Sequence, residues 1–350
     1  MKNLKQLSLL SSSLCLVLIL LACRKDKVPN LSCGNEGNEN TDTVTCEDFT
    51  YTSPAITENM TRTDTQYMEP CFSPFTDDEF IYVRKVAGVS APEIVKYTIS
   101  SKTEQVLCTT DDTGGYPLGS PDWGKQNKII FNVGTGNSGI GYIINDNGSD
   151  LQQFLPSNMN FIHPKFNGDG GEILATGPAF NGMRPIFDIN ANIVDSLPYY
   201  FNGSVGVGSP ASFDGEIKNG IFSFTDLTQD PADRGLGYIE SDTTFNPIVS
   251  TNNPTGYGVT DIDKYQSLIY YVIYGLGFYQ YNETTGTTTL LQEMCDSRKI
   301  IKISVSQISG NILIEEENNT KLSEFGGVDV QSNIYLLNPY SMEKIPVLVE

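Results

Sequence analysis

The chain contains one histidine, His163, so any reaction needing an imidazole base or imidazole metal ligand must use that residue. A Ser-His-Asp triad would take it as the base. No nucleophile elbow supplies the serine, because Gly136-Asn137-Ser138-Gly139-Ile140 lacks the closing glycine of G-x-S-x-G. One histidine cannot build a multi-histidine metal centre, and no Cys-x-x-Cys or Cys/His cluster suggests zinc. Neither a P-loop nor a dinucleotide fingerprint is present. No cofactor is evident, and a divalent cation is the one option left open. Carboxylates come in groups: Asp77-Asp78, Asp111-Asp112, Asp261 with Asp263, and Glu315-Glu316-Glu317. Two carboxylates facing one bond could hydrolyse a glycoside, but short acidic groups of this kind are expected at solvated turns. Asp146-Asn147-Gly148-Ser149-Asp150 lacks the distal Glu of a calcium loop and reads as a hairpin turn.

The elements that must position such groups repeat along the chain. Phe72, Trp123, Phe166, Phe213, Ile262 and Val305 recur at intervals of 43 to 51 residues. Around each, an apolar or aromatic anchor is followed by a polar turn and an apolar strand. A four-stranded propeller blade with its turns takes about 40–50 residues, so six anchors predict six blades. The run Lys128 to Val133 reads as a buried strand. Ile312 to Glu315, Ile334 to Leu337 and Pro346 to Val349 supply three strands after the last anchor. A blade buries little alone and must stack on its neighbours. The expected fold is all-β: a six-bladed β-propeller over residues 66–350.

The segments SPDWGKQNKIIFNV (from Ser120) and HPKFNGDGGEILATG (from His163) resemble the repeat of TolB-type β-propellers, whose signature is roughly W-S-P-D-G followed by an apolar strand. The last three anchors lack the preceding Ser-Pro. Nothing matches the N-terminal domain of TolB, so the resemblance implies no Tol–Pal role. It does imply that His163 starts an inner strand near the channel mouth. It also implies that one face is built from loops carrying Tyr116, Phe161, Tyr199, Tyr200, Phe201 and Tyr257. Aromatics on loops of a rigid scaffold suit stacking on sugars or anchoring a peptide. The candidate ligand-binding residues are therefore Tyr116, Phe161, His163, Tyr199, Tyr200 and Tyr257.

The N-terminus reads as an address. Lys2 and Lys5 precede an apolar run, Leu14 to Leu21, and small Ala22 precedes Cys23. That is the layout of a secretory signal. Leu20-Leu21-Ala22-Cys23 resembles the bacterial lipobox, which implies cleavage after residue 22 and a lipid on Cys23. Arg24, rather than Asp, in the sorting position implies the outer membrane of a bacterial cell envelope. Residues 23–65 lack apolar periodicity and read as a polar tether. Of seven cysteines, Cys15 leaves with the signal and Cys23 carries lipid, so the remaining five cannot all pair within one chain. Cys33 and Cys46 are the expected disulfide. The net charge of -20 becomes -22 when residues 1–22 are removed, a field that repels nucleic acid.

Two functions fit these features. The first is a membrane-anchored propeller binding a glycan, peptide or envelope protein without catalysis. The second is a propeller hydrolase or lyase acting on a polysaccharide or peptide through channel-mouth carboxylates. The absence of a recognisable catalytic set ranks binding first.

Overall fold

The computed structural model describes residues 65–86, 91–115, 118–134, 139–156, 160–175, 183–210, 217–228, 232–241, 243–251, 258–294, 298–322 and 328–349, all within one compact unit. The signal peptide, Cys23, nearly all of the tether, Cys33, Cys46, Tyr116, Phe213 and Tyr257 lie outside the described residues. No helix among the described residues is long and apolar enough to cross a membrane.

Six antiparallel sheets follow one another along the chain as six blades. Their innermost strands are Gln66–Phe72, Leu118–Gly124, Lys165–Phe166, Val205–Pro210, Val259–Tyr265 and Arg298–Val305. Each blade has four strands in sequence order, and blade 4 adds the short strand Tyr200–Phe201 beside its inner strand. In blade 6 the inner strand is followed by Ile312–Leu322, Val328–Leu337 and Lys344–Leu348, in the places expected from the apolar runs.

The second strand of each blade explains the apolar runs. Lys128–Val133 is covered on both sides, so both sets of alternating side chains are apolar. Ile129 and Phe131 face blade 1 in one cluster with Ile81, Ile94 and Leu107. Ile130, between them, joins Phe166, Ile173 and Phe187 of blade 3. The same division recurs in blade 5, where Tyr270 and Val272 pack on blade 6 while Ile269, Tyr271 and Ile273 pack on blade 4. The outermost strands have no such cover, and Thr103–Thr109 and Thr287–Glu293 are mostly exposed.

Six apolar clusters thus correspond to six blade boundaries. The last joins Leu313, Ile334 and Leu348 of blade 6 to Phe72, Phe80, Tyr82, Val95 and Tyr97 of blade 1. No strand is exchanged across that boundary among the described residues. The ring closes through side chains and a few hydrogen bonds, including Ser332 N–H to Gln66 Oε1 at 2.8 Å and Phe72 N–H to Ser304 Oγ at 3.0 Å.

Candidate functional site

The inner strands carry a recurrent irregularity. Their register with the second strand slips between Met68 and Cys71, Gly119 and Asp122, Val207 and Pro210, Val259 and Asp261, and Ile300 and Lys302. Such bulges re-aim side chains and bend the strand. At the first two bulges, and just before the short inner strand of blade 3, a non-glycine residue takes a left-handed backbone and a proline follows. These are Glu69 (φ 52°), Ser120 (φ 49°) and His163 (φ 47°). That conformation is uncommon for residues with a Cβ and concentrates where structure is held for a purpose.

All three side chains line one cavity of about 390 Å³ in the channel, with Asp261, Lys302 and Glu315 among the other groups on its wall. They also join into one string across four blades. Glu315 Oε2 of blade 6 accepts the Glu69 N–H of blade 1 at 2.7 Å. Glu69 Oε2 accepts the Ser120 N–H of blade 2. Ser120 Oγ lies 2.7 Å from His163 Nδ1 at the start of blade 3.

Below this string, buried aspartates tie neighbouring inner strands together. Asp122 Oδ2 accepts the Phe166 N–H at 2.7 Å, and its Oδ1 accepts from Lys165 Nζ at 3.0 Å. Asp261 repeats the arrangement, with Ile303 N–H at 2.7 Å and Lys302 Nζ at 3.2 Å. The match makes Ile303, rather than Val305, the counterpart of Trp123. Asp263 Oδ2 accepts the Val305 N–H at 2.6 Å, a second tie across the same boundary.

Burial governs the ionisation of the string. It pushes Glu315 up to about 8, against the opposing pull of the Glu69 N–H, and the nearby Glu69 and Glu317 charges add to the rise. Burial also raises Glu69, with Lys302 opposing. Desolvation at the cavity wall, then Lys302, lowers His163, so its ring is neutral near pH 7. Burial alone would lower Lys165, but Asp122 leads a set of negative neighbours that holds its ammonium above the usual range.

The geometry separates the expected site residues. His163 stands on the cavity wall, beside a serine the sequence did not single out. Phe161 is a core residue, 1% exposed, and not a loop-tip aromatic. Its ring packs on Phe154 at 5.4 Å and Phe187 at 6.3 Å, over Gly141, where a Cβ would lie 2.6 Å from the ring. Tyr199 and Tyr200 are partly exposed and meet edge to face at 4.8 Å, but neither lines the cavity. Phe201 is fully buried. The acidic groups also divide: Asp111 and Asp112 are exposed, whereas Asp261, Asp263, Glu315 and Glu316 are buried on strands, not at solvated turns.

Sequence reasoning missed Glu69, Ser120, Lys165 and Lys302. A usable signal was present for three of them in the aligned Glu69-Pro70-Cys71-Phe72, Ser120-Pro121-Asp122-Trp123 and His163-Pro164-Lys165-Phe166. A further Ser209-Pro210 closes the inner strand of blade 4, one residue farther from its anchor. Arg184 was also missed. It is 2% exposed at the boundary of blades 3 and 4, and Nη1 donates to Gly208 O at 3.2 Å. Nε and Nη2 have no partner among the described residues, and burial lowers the guanidinium to about 10. Among the described residues no group of three His, Cys, Asp or Glu side chains could hold a metal ion.

Solved structures share this architecture. The β-propeller domain of the Trilobed protease from Pyrococcus furiosus, described as having an open velcro topology, superposes with a TM-score of 0.51 at 11% identity, covering 82% of this chain and 98% of that one. TolB from Acinetobacter baumannii superposes at 0.51 and 13% identity, covering 82% of this chain and 63% of that one. The fold is that of TolB-type six-bladed propellers. An acylaminoacyl peptidase matches at a TM-score of 0.50 and 11% identity over 82% of this chain, which spans only 53% of that peptidase. At these identities the propeller likeness concerns the fold. No family model matches the sequence, and no curated protein matches it.

Proposed function

We propose that the chain is an exported, lipid-anchored binding module, held to a bacterial envelope membrane through Cys23, whose propeller captures a glycan, peptide or envelope protein at the channel mouth. The observation that carries this reading is the string from Glu315 through Glu69 and Ser120 to His163 on the wall of the cavity. A rigid ring presenting convergent polar groups to a cavity of about 390 Å³ suits a small-molecule or chain-end site, since such sites span roughly 300–1,000 Å³. The best candidates for acid–base work, Glu69, Asp261 and Glu315, each accept a backbone N–H from a neighbouring blade, which fixes them in place and leaves one oxygen of each glutamate to hold a ligand. That favours binding over turnover.

A second reading is a hydrolase, favoured by the Ser120–His163 contact at 2.7 Å. Its weakness is that no carboxylate among the described residues hydrogen-bonds His163 to orient it, as a triad requires. The mature chain carrying Cys23→Ser, screened against glycans and peptides, separates the two. Binding without turnover, lost when Thr260→Trp narrows the cavity, supports the first. Hydrolysis of the bound ligand, lost in Ser120→Ala, replaces it with the second. Acyl labelling of the wild type but not of Cys23→Ser tests the anchor.

A further inference from the structure

We propose that the channel cavity recognises a primary ammonium group, seated between Glu69 and Glu315. This rests on the channel-mouth binding reading and names the chemistry that the site selects. The charges on the cavity wall do not balance. Lys165 and Lys302 are each matched by an aspartate, Asp122 at 3.0 Å and Asp261 at 3.2 Å. Among the described residues Glu69 and Glu315 make no ion pair of their own, and share only the more distant charge of Lys302. Each spends one oxygen on a neighbouring N–H, and neither makes a further hydrogen bond among the described residues. An ionised carboxylate can accept about four hydrogen bonds. Glu315 is 3% exposed and lines the cavity, so its unused oxygen is shielded from bulk water but open to a bound group.

A compact, three-donor ammonium fits this arrangement. It bridges the two glutamates, and the Ser120 hydroxyl and the neutral His163 ring offer lone pairs close by. A quaternary ammonium has no N–H to give, and an anion would meet two carboxylates. The net charge of -20 also steers cations towards the molecule. Burial pushes Glu315 up to about 8, the behaviour of a carboxylate lacking counter-charge, and an arriving ammonium supplies it. Affinity therefore rises as pH approaches the Glu315 value, with Glu69, Glu317 and Lys302 as its charged neighbours, and falls above about pH 8 as the ligand amine loses its proton.

Two sources carry such a group: a peptide amino terminus and an amino sugar. Calorimetry on the mature Cys23→Ser chain, using triglycine and glucosamine, each beside its N-acetylated form, and calcium chloride, tests the assignment. At least one free amine binds, and N-acetylation weakens it by about tenfold or more, as does Glu315→Gln with the thermal midpoint retained. Glu69→Gln is the second variant should the first not fold. Which amine binds names the source. Equal binding of free and acetylated forms, binding of calcium at the glutamates instead, or no binding of either amine overturns the ammonium assignment. If an uncharged glycan or blocked peptide still binds in the channel, the binding function stands without it. If no ligand class binds, both fail.

Discussion

Asp122 on blade 2 holds Lys165 on blade 3 at 3.0 Å, with both side chains largely out of water. The same carboxylate caps the Phe166 N–H at the start of the neighbouring blade. Removing one member of a buried pair strands the other, at a cost of about 3–5 kcal/mol. Asp122→Ala is expected to lose that order of stability in urea unfolding. Asp150→Ala, which breaks an exposed pair with Lys128, is expected to cost less than about 1 kcal/mol. Equal losses would show that Asp122 is not a tie between blades.

Arg184 presents the opposite case. Its guanidinium is buried with two nitrogens unpaired among the described residues, so the charge costs more than its single bond to Gly208 O returns. Arg184→Met keeps the length of the side chain and removes the charge. It is expected to raise stability by about 1–3 kcal/mol, read as a higher urea midpoint at unchanged slope. A lower midpoint would mean that the guanidinium is compensated.

Much of the ring is readable in the sequence because its physics is local and repeated. A strand covered on both sides must carry apolar side chains on both faces, as Ile129, Ile130, Phe131 and Val133 do, and the anchors recur because each blade needs one. Two kinds of information were hidden. Bulges shift register without altering hydrophobicity, so Val305 stood in for Ile303. The site itself depends on distance across the ring: Glu69 and Glu315 are 246 residues apart and meet only when blade 6 docks on blade 1. Glu315 closes the strand read from Ile312, but it opens an acidic run that resembles a solvated turn, and nothing in that run marks it as buried. Phe161 shows the converse, a loop aromatic that folds inward because Gly139 and Gly141 leave room for it.

The raised Glu315 has a signed consequence for stability. Its folded value, about 8, lies above the ordinary 4.5, so between these limits the folded chain holds more proton than the unfolded one. Stability from this group is therefore present at low pH and lost as pH rises through that window. Glu69 shifts in the same direction. Thermal midpoints are expected to fall between about pH 5 and pH 9, and Glu315→Gln to flatten the fall. An unchanged slope in that variant would assign the dependence elsewhere.

Cys71 and Cys108 are free and buried, and burial pushes both thiols up to about 12, with Asp122 adding to the first and Asp112 to the second. Neither supplies thiolate at neutral pH. Iodoacetamide applied to the native protein, with sites mapped by mass spectrometry, is expected to leave both unmodified until denaturant is added. Native labelling of Cys71 would mean that the boundary between blades 1 and 2 opens.

The docking of blade 6 on blade 1, with no strand shared among the described residues, also sets an order of events for a chain made from its amino end. Every boundary but one can form as soon as the next blade is complete. Phe80, Tyr82, Val95 and Tyr97 must wait for Leu313, Ile334 and Leu348 of blade 6, which follow all five other blades along the chain. The nascent protein therefore carries a wet aromatic wall for most of its synthesis. A chain cut short within blade 6 would keep the four boundaries among blades 1 to 5 and yet display that wall as a permanent adhesive surface.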